Sequence, residues 1–515
     1  MRKKRVSISV FQIFIALIII IALIIGIIVV KKNVVSIGEI NTKKMGDFAG
    51  SGTSQDPYKI EKIEDIVKLS ENVKSGKSYK DCYFELSNKL DFQSEESYKN
   101  SNVKYGDLNG DGQNDDIKTE LTTGKGFSAI GTENCAFEGI FNGNDKTIKN
   151  LNFNVSENRE ETMLVGLFGN NKGKILNLKV VSEIVLDENV SGKAIYVGTI
   201  AAKNSGIIQA CKTEGNITAN INDENVQGEI AGITAENYGK ILDSANSINI
   251  ISNQLKAGIV AKNIVDENIE ESGEITNCTN DGKVSENTGT MYLAAGIVAD
   301  NQNGSITSCN NNGKIEGKIV GGIAGKSTGN IVACQNAGMI NNLKEDSKDE
   351  EYAGGICAII DMATIENSKN TGDILGTTNV GGIVGENKGK ILQSKNEGKL
   401  SKVEEVICRT VNIGGIAGKN SSSARISNSK NYGSIESETD TTVNMGGICG
   451  LFYGDSEIEY CENNGGMNGS AKDIIPNEDK DEKCTSCTSN NGGSASLDEF
   501  GQLNIGIIYG KFQEI

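Results

Sequence analysis

Short β-branched runs broken by glycine turns fill residues 126–470, a pattern that excludes helical repeats and predicts strands. The stretch VGGIVGENKGKILQSKNEGKL, residues 380–400, shows the unit, with Ile383, Ile391 and Leu400 standing between its glycines. The segments AGIVADNQNGSITSCNNNGKI, GGIAGKSTGNIVACQNAGMI and GGICGLFYGDSEIEYCENNGGM share its frame. Each begins with small residues around an isoleucine. After a variable turn comes a second isoleucine, then Cys or Ser, Asn and Gly at fixed offsets. That second half falls at Ile275/Cys278/Asn280/Gly282, Ile331/Cys334/Asn336/Gly338 and Ile391/Ser394/Asn396/Gly398, with degraded copies at Ile208/Cys211 and Ile241/Ser244.

The period is irregular, roughly 26 to 38 residues, and the extra length falls in polar stretches such as 344–351. A fixed frame with variable polar insertions marks a solenoid. The fold class expected is all-β: a right-handed parallel β-solenoid whose coils pair edge to edge at about 4.8 Å. Three local expectations follow. Glycines supply positive φ at the corners. The asparagines stack into a hydrogen-bonded ladder. A bend lies between Ile391 and Ser394, because in a flat strand these two side chains point to opposite faces.

Two segments depart from this pattern. From Val10 to Val30 the only strongly polar residue is Gln12, and RKKR at residues 2–5 precedes the run. About 20 apolar residues match the hydrocarbon core of a bilayer, and Lys31 and Lys32 follow without a small-x-small cleavage site. The run reads as an uncleaved anchor rather than a secretory signal, with the basic tail cytoplasmic. In residues 48–93, Ile60, Ile63, Ile66, Val67 and Leu69 recur near helical spacing and predict a short helix over 61–74, while Tyr83, Leu86 and Leu90 suggest strand.

Composition narrows the chemistry. The formal charge of −17 argues against nucleic acid as a partner, since phosphate recognition needs clustered Lys and Arg. The chain has no histidine, which excludes Ser-His-Asp triads, Cys-His pairs and H-E-x-x-H zinc sites. Most of the 12 cysteines occupy repeat slots that Ser, Val or Ala fill elsewhere, so they read as small buried thiols rather than disulfides. Cys484 and Cys487 form C-x-x-C in a polar segment, read as a local disulfide or plain thiols rather than zinc, because no second ligand pair completes the site.

The strongest ligand signal is DLNGDGQNDDIK, residues 107–118. Asp107, Asn109 and Asp111 take positions 1, 3 and 5 of a calcium loop, the Gln113 carbonyl position 7 and Asp115 position 9. Lys118 stands where a bidentate Glu is usual, so the expected site is structural and weak. The competing reading is a solvated acidic turn.

GGIVGENKGKIL resembles the GLUG repeat of bacterial surface proteins and of some immunoglobulin-A1 metallopeptidases. GSGTSQDPYKIEKIEDIVKLSENVKSG and FEGIFNGNDKTIKNLNF resemble segments that precede such repeats. The peptidases carry H-E-x-x-H in a separate domain. A chain without histidine does not inherit that activity. The expected organisation is a basic tail (1–9), a transmembrane anchor (10–30), a linker (31–50) and a small α/β cap with the calcium loop (51–125). The β-solenoid (126–470) and a polar insertion with a C-terminal cap (471–515) follow. The function expected is a surface adhesin, binding scaffold or spacer, in contact with lipid through 10–30 and with an unknown glycan or protein ligand. The alternative is a polysaccharide-cleaving β-helix enzyme, which would concentrate carboxylates and one or two basic residues on one face.

Overall fold

Tyr58, Phe84, Phe141 and Ile175 lie side by side on successive parallel strands. The row continues through Ile208, Ile241, Ile275, Ile306, Ile331, Ile365, Ile391, Ile426 and Ile458 to Cys484. The chain is therefore a parallel β-solenoid. Its fourteen rungs, at about 4.8 Å each, make a rod roughly 60 Å long. The computed structural model describes residues 48–94, 127–155, 161–269, 272–286, 293–342, 350–403, 410–421, 423–438, 442–453, 455–476, 484–489, 493–506 and 509–513. The tail, anchor and most of the linker lie outside the described residues.

The N-terminal cap belongs to the same ladder. Its helix, Ile63–Lys74, matches the expected span, and Ile63, Ile66, Leu69 and Val73 line its buried face. Asp65 starts it by accepting the backbone N–H groups of Glu61 (2.8 Å) and Lys62 (3.1 Å), which have no partner within the helix. The first coils hold a chain of aromatic contacts, Tyr79–Phe84–Phe137–Phe168, with centroids 5.0, 5.8 and 5.2 Å apart. Beyond them the core narrows to stacked isoleucines, and Ile356, Ile383 and Ile416 are fully buried on consecutive coils.

The asparagine ladder forms as expected. Asn280 donates to Asn311 at 2.8 Å, Asn311 to Asn336 at 2.7 Å, Asn336 to Asn370 at 2.7 Å and Asn370 to Asn396 at 2.8 Å. Each Nδ2 gives its second proton to the carbonyl two residues on, as Asn336 does to Gly338 at 2.8 Å. A second ladder runs through Asn171, Asn204, Asn237, Asn263 and Asn301, at 2.7 to 2.8 Å, and ends on Ser327 at 2.9 Å. It resumes between Asn387 and Asn420 at 2.7 Å, after Ile360 interrupts the column. In the sequence these asparagines fall in what looks like a variable turn, four residues past the first-half isoleucine, as Asn237 does after Ile233.

The bend between the isoleucine and the Cys/Ser slot is a single left-handed residue. Asn277, Ser308, Ala333, Asn367, Gln393 and Asn428 have φ between 50° and 55°. No glycine occupies this corner, contrary to the expectation that glycines supply the positive φ. The frame glycines serve close approach instead: a Cβ on Gly338 would sit 2.0 Å from the Gly313 carbonyl oxygen of the previous coil. A left-handed alanine is disfavoured by about 1 kcal/mol, so Ala333→Gly, at an exposed position, should raise the urea midpoint by the equivalent of about 0.5 kcal/mol. A lower midpoint would show that the corner is not strained.

The slot after this corner explains the exchange of Cys for Ser. Cys334 N–H donates to Ser368 Oγ at 3.2 Å, Ser368 N–H to Ser394 Oγ at 3.2 Å and Cys309 N–H to Cys334 Sγ at 3.4 Å. Either a hydroxyl or a thiol can accept the amide left over at the bend.

The ladder does not stop at 470, where the repeat frame fades. Cys484 pairs with Ile458, Thr488 and Ser489 pair with Glu462 and Asn463, and strands Gly493–Gly506 and Tyr509–Gln513 extend the preceding coils. Cys484 thus holds the isoleucine position and Cys487 the Cys/Ser position, so C-x-x-C is a worn copy of the repeat. One position breaks the core pattern. Lys256, fully buried between Ile230 and Ala294, extends its amine to the buried carboxylate of Glu286. Burial pushes that amine down from its ordinary value, and Glu286 pulls it part of the way back.

Candidate functional site

One seam of the rod carries a run of paired carboxylates and amines. In each coil the residue four before the first-half isoleucine and the residue three after it flank a tight arch. Small residues close that arch: a Cβ on Gly385 or Gly418 would lie 3.1 or 2.5 Å from backbone atoms of the facing strand. The first column reads Tyr196, Glu229, Leu255, Leu293, Ile319, Tyr352. The second reads Lys203, Glu236, Lys262, Asp300, Lys326, Ile359, Glu386, Lys419.

The two columns touch. Lys203 lies 4.0 Å from the Tyr196 ring centroid and pairs with Glu133 at 2.9 Å and Glu236 at 3.6 Å. Lys262 pairs with Glu229 at 3.1 Å. Five rungs on, Lys419 pairs with Glu386 at 3.2 Å and Glu350 at 3.4 Å, and Ser421 donates to Glu386 at 2.8 Å. The Tyr352 hydroxyl donates to Glu350. Between these polar ends, Leu255, Leu293, Ile319 and Ile359 are half-buried on the outer face.

Burial, then the neighbouring Glu236 charge, push the Glu229 carboxyl up to about 7 against the pull of Lys262. Burial and the same Glu236 charge hold the Tyr238 phenol above its ordinary range. A carboxyl whose folded pKa is raised favours folding in full below its unfolded value of about 4.5 and loses that contribution as pH rises through about 7. Wild type should therefore lose on the order of 2 kcal/mol more stability than Glu229→Gln between pH 4.5 and 7.5. Parallel profiles in urea titrations at each pH would contradict this.

Cys211, Cys309, Cys357 and Cys449 offer no reactive thiolate. Burial pushes Cys211 and Cys357 up to about 12, and Cys309 and Cys449 also lie well above the ordinary thiol value. The calcium residues Asp107, Asn109, Asp111, Gln113 and Asp115 lie outside the described residues. Among the described residues no group of three or more Cys, Asp or Glu is placed to hold a metal ion, and no helix is long and apolar enough to cross a membrane.

The ladder and its columns define the class: a β-solenoid repeat protein with a polar seam. No family model matches the chain, so the GLUG resemblance stays at the level of its residues. Over 268 residues, 52% of the chain, it is 24% identical to Halomucin of Haloquadratum walsbyi, and the match spans 2% of that relative's length. A crystal structure of a candidate immunoglobulin A1 protease from Bacteroides ovatus aligns with a TM-score of 0.29 and 18% identity, covering 77% of this chain and 79% of that one.

Proposed function

We propose that this chain is a membrane-tethered repeat protein that holds a rigid β-solenoid outside the cell as an adhesin, binding scaffold or spacer. The observation that carries the reading is the unbroken parallel ladder from Tyr58 to Gln513, with its filled apolar core. Such a ladder makes a stiff rod whose outer columns are free to vary. Residues 10–30 supply the tether in this reading, with the N-terminus cytoplasmic and the rod extracellular. The right-handed crossover preferred by parallel strands sets the sense of winding. In this reading the role is non-catalytic: Lys262 holds Glu229 through one oxygen, and Lys419 and Ser421 hold Glu386.

Protease treatment of intact cells tests it. The rod should be released while a membrane-protected N-terminal fragment remains. Full protection of the chain, or recovery of the intact protein in the soluble fraction, would refute the tethered reading. Calcium at residues 107–118 belongs to the same proposal. With calcium tenfold above its dissociation constant, stability should rise by about 1.4 kcal/mol, and Asp111→Ala should abolish that rise. An equal gain in the variant would discard the site.

A further inference from the structure

We propose that the seam between Tyr196 and Tyr352 binds an extended, uncharged oligosaccharide lying along the solenoid axis. The inference rests on the scaffold reading and assigns its ligand class. Tyr196 and Tyr352 stand five rungs apart in one column, about 24 Å along the rod. Half-buried Leu255, Leu293 and Ile319 join them, and carboxylates and amines border the strip on the other column. An apolar floor with a few oriented polar groups is the composition of a ligand site. Tyrosine adds a rigid ring that is apolar on its faces and polar at its tip.

Charge selects among ligands. Between Tyr196 and Tyr352 the two columns carry Lys203, Lys262 and Lys326 against Glu229, Glu236 and Asp300, three of each sign, on a chain whose net charge is −17. This balance gives a polyanion no net attraction, and mixed donors and acceptors suit hydroxyl groups, which both give and take hydrogen bonds. A peptide adding itself as a strand finds no edge here, because the flanking strands pair on both sides. One carboxylate is also left with capacity. Glu229 is 7% exposed, its Oε1 takes Lys262, and its Oε2 has no hydrogen-bond partner.

The test is titration calorimetry of the full chain in nanodiscs against neutral hexasaccharides of glucose and of N-acetylglucosamine. The matching disaccharides, a hexamer of galacturonic acid and an extended uncharged peptide serve as comparisons. A neutral hexasaccharide should bind, its disaccharide should bind at least about tenfold more weakly, and Tyr196→Ala and Tyr352→Ala should each weaken the hexasaccharide about tenfold without shifting the melting temperature. The proposal falls if no neutral hexasaccharide binds, if the galacturonic acid hexamer or the peptide binds more tightly, or if both tyrosine variants bind as wild type. Surface exposure, read by protease release from intact cells, is independent of these results. A seam that binds no sugar on a surface-exposed rod removes this inference and leaves the scaffold reading standing.

Discussion

An aspartate at position 383 should unfold the coils around it. Ile383 is fully buried between Ile356 and Ile416, its N–H donating to the Ile416 carbonyl and its own carbonyl accepting from Ile356, both at 2.9 Å. The column leaves no room for a side chain to swing toward water. A carboxylate there has neither partner nor solvent, and a loss on the order of 4 to 5 kcal/mol follows. Because each coil stacks only on its neighbours, the damage should spread in both directions from the site. Ile383→Val, which removes one methylene, should cost about 1 kcal/mol and serves as the size control. Denaturant unfolding followed by circular dichroism separates the two. An aspartate variant as stable as the valine variant would place residue 383 outside the core.

Cutting the asparagine ladder should cost nearly as much. Asn336 accepts from Asn311 and donates to Asn370 and to the Gly338 carbonyl, all at 2.7 to 2.8 Å and away from solvent. Asn336→Ala leaves a donor on Asn311 and acceptors on Asn370 and Gly338 unmet, and the sum is about 3 to 5 kcal/mol. Asn336→Thr should lose less, because a threonine already ends this ladder: Thr213 donates to Asn246 at 2.7 Å. A hydroxyl at position 336 can keep one of the two links between coils, whereas a methyl keeps neither. Hydrogen exchange at the amides of the flanking coils reports the same break locally. Unchanged protection in Asn336→Ala would mean that the ladder follows the stacking rather than supporting it.

The two substitutions separate what is written locally in the chain from what packing adds. Ile383 and Asn336 were both legible from the sequence. Each belongs to a frame in which residue type repeats at fixed offsets, and only a stacked coil demands the same residue at the same place every turn. The helix over 63–74 was legible for a similar local reason, the spacing of its apolar positions. The bend after each isoleucine was legible as a necessity, since Ile391 and Ser394 cannot both face inward from a flat strand. Its form was not. Left-handed φ falls on Ala, Gln, Ser and Asn, residue types that carry no glycine signal, while the frame glycines answer to a carbonyl on the previous coil.

Tertiary structure decided the rest. The second asparagine ladder lies in plain repeat, but its neighbours vary, and only the register shows that Asn204, Asn237 and Asn263 stack. The continuation through Cys484 and Cys487 hides because a cysteine in the isoleucine slot erases the frame while backbone pairing, which ignores side chains, carries on. Lys256 and Glu286 are far apart in sequence and meet in a core column that composition alone would call apolar. The seam is the largest such case. Glu229 meets Lys262 and Lys203 meets Glu236 at separations of 33 residues, one period of an irregular repeat. The sequence by itself therefore determined the coil, its core and one ladder, because these need only the same residue at each turn. Which outer side chains face one another depended on the length of every insertion between them, and only the wound chain sets that register.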